Sequence, residues 1–163
     1  MTQSGKGTAG RSLARLYAVQ AVYQLFMEGG TVDSVLRTMI HGRLTDDEAG
    51  GDLGDPDGAL LADLVRGAWI RREELEGMVS HSLPSDWPLD RIELILRALL
   101  DVAALELLEH SGTPARVIIA EYVDVAHAFF EKGETGMVNG VLDHLARILR
   151  PDELGASRGR AGG

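Results

Sequence analysis

The stretch Leu89–Leu108, LDRIELILRALLDVAALELL, decides the fold class. Leu89, Ile92, Leu96, Leu99, Leu100, Ala103 and Leu107 recur three and four apart, the period of a helix with one buried face. The same spacing extends in both directions. Upstream, Leu61, Leu64, Val65, Ala68, Leu75 and Val79 predict one helix, separated from the central one by a break at Leu83–Pro88 in which Trp87 is a packing anchor. Further upstream, Leu13, Leu16, Gln20, Tyr23 and Met27 share a face of a first helix over about residues 10–28, which Gly29-Gly30 ends. Val32, Val35, Leu36, Met39 and Ile40 give a short second helix. Downstream, Thr113-Pro114 reads as an N-cap followed by proline at the first helical position. Ile119, Tyr122, Ala126 and Phe129 follow on one face, with Gly133 as the stop. Val138, Val141, Leu142, Leu145 and Leu149 form the last helix, ended by Pro151. No comparable stretch alternates with period two. The predicted class is all-α: a compact bundle of six to seven helices whose short later connections pack neighbours antiparallel.

The chain has 163 residues, enough for one domain with a core of its own, and carries 16 basic against 25 acidic residues, a formal charge of −9. It has no cysteine, which excludes disulfide frameworks, thiolate zinc sites and thiol nucleophiles. No window approaches a membrane span, and the opening MTQSGKGTAGR lacks the apolar run of a signal peptide, so the expectation is a soluble cytoplasmic protein. The charge is unevenly placed. Lys6, Arg11 and Arg15 all precede the first acid, Glu28. Leu44–Asp57 is the reverse, with Asp46, Asp47, Glu48, Asp52, Asp55 and Asp57 among glycines and no base. The expected organisation is a flexible basic arm at 1–9, one helical domain at 10–150 carrying an acidic linker at 44–57, and a flexible tail at 151–163.

Little here suggests catalysis. The histidines make no HExxH pattern, and no glycine-rich phosphate loop is present. Glu121, Asp124 and His127 stand three apart on one helix, but a carboxylate-bridged metal bundle needs that pattern on two helices, so they read as a polar face. Glu106 and His110 read likewise as an i,i+4 surface pair. No catalytic residue, metal site or cofactor is expected. Binding is the better prospect: Arg11 and Arg15 lie one turn apart, Lys6 precedes them, and Tyr23 and Phe26 offer aromatic surface nearby.

Four ordered blocks then resemble the NusB family of transcription antitermination factors. The first helix has an R-x-x-A-R step (Arg11, Ala14, Arg15) followed by Ala18, Val19, Gln20, Ala21, Val22 and Tyr23. The central helix resembles the family's long helix. TPARVIIAEYVDVAHAFF, from Thr113, resembles its P-x-x-V-x-I-x-E helix through Pro114, Val117, Ile119 and Glu121. VNGVLD, Val138 to Asp143, is the most specific word, and the whole resemblance spans about residues 8–150.

The resemblance implies an all-helical, non-catalytic monomer or homodimer. It would bind single-stranded boxA RNA together with NusE, a small-subunit ribosomal protein, within an RNA polymerase antitermination complex, and promote readthrough chiefly of ribosomal RNA operons. It implies Arg11, Arg15 and Lys6 as RNA-facing bases and Tyr23 on the NusE-facing side. It sets Asn139 and Gly140 at the start of the last helix. Asn139 reads either as an RNA contact or as a helix-start hydrogen bonder, and Gly140 as a close helix–helix contact. Three departures bear on function. Ser12 and Leu13 interrupt the N-terminal cluster, which is richer in arginine in many relatives. Gly136 and Met137 stand where many relatives have lysine and phenylalanine, removing a charge and a stacking ring from the implied RNA surface. Asp101 and Leu105 stand where the family has arginine and tyrosine, and the reversed charge touches the implied partner or dimer surface. The alternative reading is therefore a protein-interaction module of the same fold, binding NusE or itself, with weakened RNA binding.

Overall fold

The structure, a computed structural model, describes residues 2–39 and 54–155. Among these residues are seven α-helices and no strand: α1 (Thr2–Glu28), α2 (32–39), α3 (Gly58–Ile70), α4 (Arg72–Ser82), α5 (Leu94–Glu109), α6 (Ala115–Phe129) and α7 (Lys132–Leu149). A 3-10 turn, Leu89–Arg91, precedes α5, and a π-helical turn, Pro151–Gly155, follows α7.

The central stretch forms the core helix. Every residue of α5 from Ala98 to Leu107 is buried, including the polar Asp101 and Glu106. A helix enclosed on all sides is the axis of a bundle, and α5 packs against α1, α3, α4, α6 and α7. Helices α1 and α3 run parallel across it. The Gly10 carbonyl accepts the Asp57 N–H at 2.9 Å at one end, and the Phe26 and Trp69 rings lie 5.7 Å apart at the other.

Local chemistry sets the boundaries. Gly29 and Gly30 adopt φ of 73° and 99°, a left-handed conformation that favours glycine and ends α1. The Thr31 hydroxyl accepts the Ser34 N–H at 3.1 Å, and the Asp57 carboxylate accepts the Leu60 N–H at 3.0 Å, so each caps the helix that follows.

Several boundaries differ from the sequence expectation. Helix α1 begins at Thr2, so residues 2–9 are helical and not a flexible arm. Once residues 11–28 are anchored, adding residues to an existing helix is far easier than nucleating one, and the glycines do not stop it. The helix expected over Leu61–Val79 breaks at Arg71, whose backbone turns to φ −99° and ψ 17°, and the Trp69 carbonyl beside the break accepts the Arg72 guanidinium at 2.6 Å. Gly133 lies inside the first turn of α7 and is not a stop. Residues 151–155, part of the expected tail, form a π-helical turn that buries Leu154. The acidic stretch from 44 to 53 and the tail at 156–163 lie outside the described residues.

Gly140 is not the close helix contact. A side chain built there meets nothing within 4 Å, whereas a Cβ at Gly67 would fall 2.6 Å from Leu105 Cδ2, where α3 crosses α5. The two glycines predict opposite outcomes in denaturant titrations. Gly140→Ala raises stability by about 0.5–1 kcal/mol through helix propensity. Gly67→Ala lowers it by about 1–3 kcal/mol through overpacking.

Candidate nucleic-acid interface

The basic step on α1 divides into two unlike arginines. Arg15 is 2% exposed. Its Nε donates to Glu106 Oε1 at 2.9 Å and its Nη2 to Glu106 Oε2 at 2.8 Å, a two-pronged pair inside the bundle. The Tyr122 hydroxyl donates to the same Glu106 Oε1 at 2.7 Å. Glu121 lies on the open side, 3.4 Å from Arg15 Nη1, and accepts the Ser12 hydroxyl at 2.9 Å. Burial alone would push the Arg15 pKa down, but the hydrogen bonds and charge of Glu106, supported by Tyr122 and Glu121, outweigh it and raise it. Burial, with the Glu106 charge behind it, holds the Tyr122 phenol well above its usual range, so it stays a donor.

Arg15 is therefore corrected from an RNA-facing base to an internal one: no phosphate can reach it without opening the core. Glu106 is fully buried rather than half of a surface pair with His110. Glu121 serves Arg15 and Ser12, and among the described residues no group of three His, Asp or Glu is placed to hold a metal ion.

Arg11 remains at the surface, its side chain 37% exposed. Its Nη2 donates to Thr113 Oγ1 at 3.1 Å, and its Nη1 lies 3.9 Å from Asp57 Oδ2, at the end of the acidic stretch. Thr113 is accordingly not the expected N-cap. Its hydroxyl serves Arg11, and the first N–H of α6, from Ala115, goes to Glu153 Oε1 at 2.8 Å. Arg11 borders a hollow of about 560 Å³ formed with Glu109, His110, Ser111, Gly112, Thr113 and Pro114. Lys6 falls near the start of α1, and its side chain lies outside the described residues.

The other sequence candidates sit elsewhere. Asn139 is exposed in the middle of α7, not at its start, and lines a separate groove of about 400 Å³ with Arg116, Asp124, Asp143 and Arg147. Tyr23 is half-buried on α1, packed against the core. Met137 is 6% exposed, so its position belongs to the core and supplies no stacking surface in this chain; Gly136 is exposed.

Asp101 is likewise not on a partner surface: it is 1% exposed, and its Oδ2 has no hydrogen-bond partner. Burial and the neighbouring Glu76 carboxylate push its pKa up to about 8, against the pull of Arg97, which pairs with Glu76.

The sequence match is broad. The model of the NusB family fits residues 12–147. The transcription antitermination protein NusB of Bradyrhizobium sp. (strain ORS 278) is 42% identical over 145 residues, covering 89% of this chain and 86% of the relative. That of Rhodospirillum rubrum is 44% identical over 160 residues, covering 88% and 86%. Among solved structures, T. maritima NusB superposes with a TM-score of 0.69 at 24% identity, over 88% of this chain and 94% of that one. NusB in a complex of antitermination factors NusB and NusE with dsRNA gives 0.65 at 19% identity, over 91% and 99%. At these identities the structures establish the shared fold.

The internal and surface charges respond differently to substitution. Arg15→Ala strands Glu106 and lowers stability by about 3–5 kcal/mol in denaturant titration. Arg11→Ala changes it by less than about 1 kcal/mol. Asp101 has a folded pKa above its unfolded one, so its contribution to stability falls as pH rises from about 4 to about 8. Asp101→Asn therefore raises the thermal midpoint by more at pH 8 than at pH 6; equal gains at the two would contradict the assignment.

Proposed function

The chain belongs to the NusB family, and from that membership we propose that it is a non-catalytic transcription antitermination factor of the cytoplasm. In this reading it binds boxA-type single-stranded RNA jointly with NusE, joins the RNA polymerase antitermination complex and favours readthrough of ribosomal RNA operons. The observation that carries it is the match to antitermination proteins over nearly the whole chain. The absence of a membrane-spanning helix among the described residues is compatible with that setting.

The mechanism is assembly. Arg11 is the phosphate contact on α1, with Lys6 on the same helix, and Tyr23 is the NusE-facing residue. Asn139 lines a different hollow from Arg11 and is left out of the proposed contact. NusE supplies further RNA-binding surface, so each ligand raises the affinity for the other by the same factor.

The burial of Arg15 favours a second reading in one respect. With that cation enclosed, the α1 segment has Arg11 and Lys6 to offer a backbone, and RNA binding by the protein alone is correspondingly weak. The second reading takes this further, to NusE binding or self-association without RNA.

Titration of a short boxA-type RNA with and without NusE, across a salt series, separates the two. The proposal predicts NusE-enhanced binding whose salt slope falls by about 0.7 in Arg11→Ala, the value for one phosphate contact on a single strand. NusE binding with no RNA enhancement would favour the second reading.

A further inference from the structure

The loop between α5 and α6, residues 110–114, forms one wall of the hollow beside Arg11 and is gripped from below by the segment that follows α7. Arg150 is 7% exposed. Its Nε donates to the Leu107 carbonyl at 2.7 Å, and its Nη2 to the His110 carbonyl at 2.8 Å. These are carbonyls at the end of α5, where no helical N–H follows and a cation is favoured. Its Nη1 reaches the Thr113 carbonyl at 3.0 Å and Glu153 Oε2 at 2.5 Å. Glu153 in turn accepts the first N–H of α6, and the Ala115 N–H and the Arg150 guanidinium hold its carboxyl below the usual range. One ion pair thus closes the end of α5, the start of α6 and the loop between them.

Thr113 carries this grip to the surface. Its carbonyl is held by Arg150, and its hydroxyl accepts Arg11 Nη2 at 3.1 Å. We propose that Arg150 and Glu153 are positioning residues for RNA binding: they fix Thr113, and Thr113 holds the Arg11 guanidinium ready for a phosphate. This rests on the reading that Arg11 contacts RNA. The benefit is preorganisation. A free arginine side chain loses rotamer freedom when it binds, whereas one already held against Thr113 loses less.

The test is a double-mutant cycle read in RNA affinity, with NusE present, on boxA-type RNA. Thr113→Val cuts only the last link, and Glu153→Gln loosens the clamp without emptying it, so neither depends on the fold surviving loss of Arg150. Each is expected to weaken RNA binding, Thr113→Val by about three- to ten-fold, with NusE affinity unchanged. In an Arg11→Ala background neither has a further effect, because nothing is left to position. The salt slope distinguishes the roles: Arg11→Ala flattens it by about 0.7, and Thr113→Val leaves it as it is. Losses that persist in the Arg11→Ala background would overturn the proposal, and so would full affinity in Thr113→Val beside a weakened Arg11→Ala. If Arg11→Ala itself binds RNA normally, the RNA role of Arg11 fails and the positioning role fails with it.

Discussion

The structure depends on a charge pair enclosed in apolar surroundings. Arg15 and Glu106 meet in two parallel hydrogen bonds, with Tyr122 donating to the same carboxylate. Such a pair contributes little net stability when intact, because desolvation offsets most of the attraction. Its force is in specification. Leaving either charge alone in that position is costly, which disfavours packings of α1, α5 and α6 that part the two. The elements that frame the Arg11 hollow, α1 and the loop from α5 to α6, are thereby set against one another.

Three of the four blocks that make the chain resemble its family each contribute a charged residue to this network. Arg15 closes the R-x-x-A-R step, Glu106 lies in the long helix, and Glu121 ends the P-x-x-V-x-I-x-E word. A basic step that reads in sequence as a nucleic-acid patch thus divides its labour. One arginine pairs with Glu106 inside the bundle, and the arginine one turn before it stays at the surface. Another ion pair, Arg150 with Glu153, lies at the edge of the bundle and ties the end of α5 to the start of α6.

The helical class and most helix positions were legible, because apolar periodicity reports burial directly. Side-chain direction was less so. Two arginines one turn apart share a helix face, and the face that α1 turns inward could be known only once α5 was in place. A usable signal existed: Glu106 sits among leucines and alanines in a strongly apolar helix, and a buried carboxylate there must either find a cation or take up a proton. The same reasoning would have put Asp101 inside, though not its proximity to Glu76 and Arg97, which depends on how α4 packs. The ordered turn after Pro151 left almost no trace, since Leu154 is a lone apolar residue and the bonds of Arg150 and Glu153 join positions about 40 residues apart. Met137 illustrates the limit of reasoning by family substitution: a position taken for surface proved to face the core.

The basic step holds one internal and one surface arginine. NMR of the arginine side-chain Nε–H signals, followed while boxA-type RNA and NusE are added, distinguishes the two. The expected result is a slowly exchanging Arg15 signal that stays in place and an Arg11 signal that shifts on RNA addition. An Arg15 signal that exchanges rapidly in the free protein, or that moves with RNA while Arg11 does not, would contradict it.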